Sequence, residues 1–165
     1  MGGDLTPENV RASIKMPPEL QRAYDAVVLT GMKTLFSKES AGKVVQMFKS
    51  GSGSVSERLG RGIAAVMLSM YVDAKGAVPG QVLIPAGMDL LAQAADFIKK
   101  ANLDPMSVDD IGAAMHIMIT TILEKCGIDP KKLMAMTDQY DRGNVQAAQQ
   151  QLAQPAPQGQ PMQGA

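Results

Sequence analysis

From Leu20 onward the apolar positions of the chain recur at intervals of three and four, the period of an α-helix, and no stretch offers a partner for an isolated strand. Pro17-Pro18 marks a helix start, because a proline in the first turn gives up an N–H that has no partner there. Leu20, Tyr24, Val27, Val28, Gly31, Met32 and Leu35 then trace one face. Gly31 lies inside that stripe, which points to the close approach of another helix rather than to chemistry. A second, shorter helix over residues 39–49 presents Val44, Val45 and Phe48 and meets Gly51-Ser52-Gly53-Ser54, the clearest hinge in the chain. Ser54 and Glu57 have capping-box spacing and open a third helix, which runs to residue 75 and stops at Gly76. Its apolar residues cover roughly half the circumference, against a polar side marked by Arg58, Arg61, Ser69 and Asp73, so this is the expected central helix.

Val82-Leu83-Ile84, bracketed by Pro79-Gly80 and Pro85, reads as a buried extended loop. The fourth helix, residues 86–101, sets Leu90, Leu91, Ala94, Phe97 and Ile98 on one arc and Asp89, Gln93, Asp96 and Lys100 on the other. Ser107 caps a fifth helix, with Asp109 and Asp110 at the positive end of its dipole. Ile111, Met115, Met118, Ile119, Ile122 and Cys126 form its inward face, closed by Gly127. Asp129 and Pro130 open a sixth, short helix reaching residue 140. Residues 1–16 are polar and aperiodic, which predicts a flexible arm; residues 143–165 are a Gln/Ala/Pro-rich tail, expected to be disordered from residue 154. The expected fold is therefore all-α: an irregular bundle of five or six helices over residues 17–142, hinged near 50–54.

Composition adds the nature of the core. Hydrophobic residues make up 45% of the chain, which excludes wholesale disorder, and thirteen Met against three Phe, three Tyr and no Trp require a core of Met, Leu, Ile, Val and Ala. Sixteen basic and sixteen acidic side chains cancel, which argues against direct nucleic-acid binding by counterion release. A single cysteine excludes an intramolecular disulfide. The first sixteen residues lack the apolar core of a secretory signal. The charge-free apolar stretches are all shorter than the ~18 residues a membrane span needs, so membrane contact is expected to be peripheral at most.

Candidate chemistry is sparse. His116 and Cys126 stand ten residues apart on one predicted helix, about 15 Å at 1.5 Å per residue, too far for a nucleophile and its base. One His and one Cys make no structural zinc site, and the acids lack calcium-loop spacing. Gly60-Arg61-Gly62-Ile63-Ala64-Ala65 fits the dinucleotide fingerprint formally but falls inside a helix rather than at its start, so helix packing is the better account. Ala41-Gly42-Lys43 lacks the rest of a phosphate loop. Met1-Gly2-Gly3-Asp4-Leu5-Thr6 fits the loose N-myristoylation pattern, but one acyl chain binds membranes only marginally. No catalytic, cofactor-binding or metal-binding residue is assigned, and no enzyme activity is expected. The candidate partner-binding face is Leu59, Ile63, Val66, Met67, Met70 and Tyr71 on the broad third helix.

The order of features carries a resemblance. Pro17-Pro18-Glu19-Leu20, Gly31-Met32-Lys33, Phe36-Ser37-Lys38 and Val82-Leu83-Ile84-Pro85-Ala86-Gly87-Met88 entering a helix resemble small helical virion-associated proteins of short-tailed bacteriophages, over residues 17–136. The resemblance implies a structural or assembly role, with other virion proteins and further copies of itself as partners, in the particle and, during assembly, in the host cytoplasm. It carries over no active-site residues. Two other readings stay open: a chaperone-like or regulatory helical module, and a peripheral membrane protein delivered during genome ejection.

Overall fold

The computed structural model describes residues 5–127, apart from the side chains of Met47 and Phe48. Among them are six α-helices and no strand: α1 (Pro7–Ser13), α2 (Pro18–Phe36), α3 (Lys38–Ser50), α4 (Val55–Asp73), α5 (Leu83–Lys100) and α6 (Val108–Lys125). The all-α bundle read from periodicity is the observed fold. The expected helix over residues 129–140 and the tail lie outside the described residues.

Local chemistry sets most of the boundaries. Ser54 accepts from the Glu57 N–H at 3.2 Å while the Glu57 carboxylate accepts from the Ser54 N–H at 3.0 Å, so the predicted capping box opens α4. Ser107 and Asp110 form a second such box at α6, where Asp110 supplies the acid. Gly76, at φ 85°, follows the end of α4 in the left-handed region that glycine tolerates.

Two segments depart from the sequence expectation. Residues 7–13 form α1 inside the supposed arm: Thr6 caps it by accepting from the Asn9 N–H, Pro7 occupies the first turn, and Val10 is buried. Seven residues are too few for periodicity to reveal. The expected extended loop at Val82-Leu83-Ile84 is instead a 3-10 turn, Gly80–Val82, running straight into α5. Pro85 is compatible with that because it sits in the helix's first turn, where no intrahelical N–H bond is lost.

α4 and α6 run parallel, since Ser56 meets Asp110 and, further along, Gly60 meets Ala114 and Ile117. α5 packs against both in the opposite direction: Gly87 at its start faces Met67 and Met118, and Asp104 beyond its end bonds Arg58 near the start of α4. α2 crosses α5 at Tyr24–Asp89, Gly31–Leu90 and an edge-to-face Phe36–Phe97 contact. α4 touches α2, α3, α5 and α6 as a central helix should, yet burial is deepest on α5, from Leu83 through Leu90 and Leu91 to Ile98. Met67 and Met118 are fully enclosed, each worth about 1.5–3 kcal/mol of apolar burial. The expected hinge is a connection that Arg58 holds: its guanidinium donates to Gly53 O at 2.6 Å, Gly51 O at 3.3 Å and Asp104 at 2.7 Å.

Candidate functional site

Two features stand out once the helices are assembled. The first is a trough between α2 and α4. The side chains that face this space include Ala23 and Ala26 on α2, Ala65 on α4 and Ala74 at its C-terminal cap, which are too short to fill it. A groove of about 650 Å3 results, bounded by Val27, Val66, Met70 and Val78. Its polar members are Thr30 and Thr34, whose hydroxyls already donate to Ala26 O and Thr30 O within α2, and Ser69, which donates to the Asp73 carboxylate at 3.4 Å. Thr34, Ala65 and Val66 are also a wall of an apolar cleft of about 270 Å3, which continues under Phe36, Val44 and Phe97. The two form one trough along the same side of the bundle.

The predicted partner-binding face is thereby divided. Leu59, Ile63 and Met67 are buried and belong to the core, a correction that follows from α5 and α6 packing against the same broad stripe; Leu59 and Ile63 also reach the floor of the cleft. Val66 and Met70 line the groove, and Tyr71 is half-buried against the core. A helical wheel shows that a stripe is wide but not which part a neighbour covers. Of the trough's α2 lining, Val27 and Leu35 lay in the predicted apolar stripe, whereas Ala23, Ala26, Thr30 and Thr34 carried no strong signal, since alanine and threonine are neutral in an amphipathic pattern.

The second feature is a buried ionic cluster. Asp89, assigned to the polar side of its helix by pattern, is completely enclosed. Its carboxylate accepts from the Tyr24 hydroxyl at 2.7 Å, from Arg11 Nε at 2.9 Å and a terminal Arg11 nitrogen at 3.2 Å, and from the Gln93 amide at 3.4 Å. Burial, and then the hydrogen bond to the carboxylate, push the Tyr24 phenol well above its ordinary range. The hydrogen bonds that Arg11 donates to the Asp89 carboxylate likewise raise the guanidinium. Both carboxylate oxygens are committed to these donors, so the cluster is arranged to hold α1, α2 and α5 together. Sequence contained one hint of it: a tyrosine in the apolar stripe of α2 needs a partner for its hydroxyl.

His116 is exposed, and Cys126, expected inside, is exposed at the C-terminal cap of α6, because the buried stripe there rotates to Ile122 and Leu123. Gly60 lies in the interior of α4, where a Cβ would come within 2.5 Å of Ala114 O, so the fingerprint-like glycine serves helix contact as expected. Among the described residues no group of three His, Cys, Asp or Glu is placed to hold a metal ion, and no helix is long and apolar enough to cross a membrane.

Comparison with known proteins finds no family model, no curated protein and no solved structure that matches this chain.

Proposed function

We propose that this chain is a non-enzymatic virion structural or assembly protein of a short-tailed bacteriophage, acting through helix-mediated self-association or by docking on a larger virion protein. The observation that supports docking is the trough between α2 and α4, whose lining is mostly apolar, with Ser69 and Asp73 as polar members of the groove. A concave apolar strip of this length suits an amphipathic helix laid into it, with side chains of the incoming helix entering above Ala26 and Ala65. The virion setting rests on the sequence resemblance.

The test combines light scattering after size exclusion with proteomics of purified particles and assembly intermediates. The expected result is a defined oligomer, or co-purification with one virion protein. Ala26→Arg and Ala65→Arg, at exposed positions in the trough, are expected to abolish that association while shifting stability by no more than about 0.5 kcal/mol. A strict monomer absent from particles and intermediates overturns the proposal. Selective capture of a protein from uninfected host extract would move the reading to a chaperone-like module.

A further inference from the structure

α1 is bound to the body in a way that suits exchange. It has seven residues, too few to persist as an isolated helix in water, so its structure depends on docking. Its principal helix contact is α5, and the polar centre of that contact is Arg11 on Asp89. The guanidinium enters from outside: the Arg11 side chain is 54% exposed while the Asp89 side chain is 0% exposed. Asp89 and Tyr24 therefore form a socket in the body, and Arg11 is a plug carried on a separable piece.

The tether is short and extended. Ile14 and Pro17 both have extended backbone (ψ 110° and 143°), and Pro17-Pro18 stiffens the entry into α2. Residues 14–17 span about 14 Å at most. An element on such a tether can stay with its own body or be handed to an adjacent one. The socket resists standing empty, because a buried carboxylate without its cation is strongly disfavoured. Every copy of this chain carries the plug that fits.

We propose that the Tyr24–Asp89 socket is an exchangeable arginine site, filled by Arg11 of its own chain in the free molecule and by Arg11 of a second copy in the assembled state. The partner class rests on the self-association reading above. Tethering decides the balance: the chain's own α1 is present at an effective concentration of about millimolar, so it prevails in dilute solution. A neighbour's α1 competes once copies are held side by side. The same hydrogen bonds form in both arrangements, so exchange links copies without requiring a new interface.

The unmodified chain offers its own reporter. Lys100, exposed at the end of α5, is paired with Asp96 at 2.7 Å and is near enough to Glu8 of α1 to feel its charge without being paired to it. Both side chains are long and exposed, so carbodiimide coupling of Glu8 to Lys100 captures their transient meeting where α1 lies on α5. Equal amounts of 14N- and 15N-labelled protein are mixed, concentrated, cross-linked and separated by size. The expected result is a hybrid-mass Glu8–Lys100 peptide in the oligomer fraction, approaching half of the linked peptide, and uniform mass in the monomer fraction. Arg11→Ala, its helix content checked by circular dichroism, is expected to lower the hybrid signal about tenfold or more. Oligomers whose links all have uniform mass overturn the exchange and leave self-association standing; a hybrid signal indifferent to Arg11→Ala overturns the role of the arginine. A chain that stays monomeric at every concentration overturns both.

Discussion

The Asp89 carboxylate has no solvent on any side, and the groups that reach it come from α1, α2 and its own helix. Removing Arg11 leaves the enclosed Asp89 carboxylate without its cation, and because Arg11 itself is half-exposed and water can take part of its place, Arg11→Ala is expected to cost about 1–3 kcal/mol in urea unfolding. Replacing the trio together, Arg11→Met with Tyr24→Phe and Asp89→Leu, is expected to cost less than Arg11→Ala alone, since no buried charge is then stranded. Tyr24 gives the cluster a pH signature. Its folded pKa lies above the ordinary phenol value near 10, so the native state keeps a proton that the unfolded state releases. That stability is complete below about pH 10 and falls as pH rises further, and Tyr24→Phe is expected to remove that component from an alkaline denaturation series. Glycines give a second contrast. A Cβ at Gly60 would meet the Ala114 carbonyl, which cannot swing aside, so Gly60→Ala is expected to destabilise by about 1–3 kcal/mol. Gly112 has open space around it, and Gly112→Ala is expected to stabilise by about 0.5–1 kcal/mol.

Among the helices, legibility followed the strength of the local signal. The capping boxes at Ser54 and Ser107 set the starts of α4 and α6 through bonds spanning three residues, which sequence spacing displays directly. Ser54→Ala is expected to cost about 1 kcal/mol, read from thermal melts. At α6, the backbone N–H of Ser107, then its hydroxyl, hold the Asp110 carboxyl below its usual range. Its contribution is present above the ordinary carboxylate pKa and is lost as pH falls through the lower folded value, so Asp110→Asn is expected to flatten the acid limb of stability. α1 and the start of α5 were not legible. One is too short to show a period, and the other begins with a 3-10 turn and a proline that reads equally well as a loop.

At the scale of the molecule, α4, α5 and α6 form the densest packing, with Leu59, Met67, Leu90, Ile98 and Met118 enclosed among them. α3 lies against α2 and α4 over a shorter contact and borders the apolar cleft. Amide hydrogen exchange is therefore expected to be slowest in α5 and in the facing turns of α4 and α6, and faster in α3 and α1. The trough exists only because α2 and α4 are set side by side with short residues between them. Ala26 and Ala65 are unremarkable on either helix alone, and the space above them appears when the helices are set side by side.

Period, caps and glycines are properties of neighbours in the chain, and they were sufficient for an all-α bundle, for most helix boundaries and for the close contacts at Gly31 and Gly60. Burial is a property of neighbours in space. Asp89 looked solvated because four and seven residues along its helix lie Gln93 and Asp96, on the same face, and only α1 and α2 closing over it turned a surface acid into the enclosed centre of a three-element cluster. Leu59, Ile63 and Met67 looked available for a partner for the converse reason: hydrophobicity shows that a side chain must be covered, and the tertiary arrangement alone decides whether the cover is the chain itself.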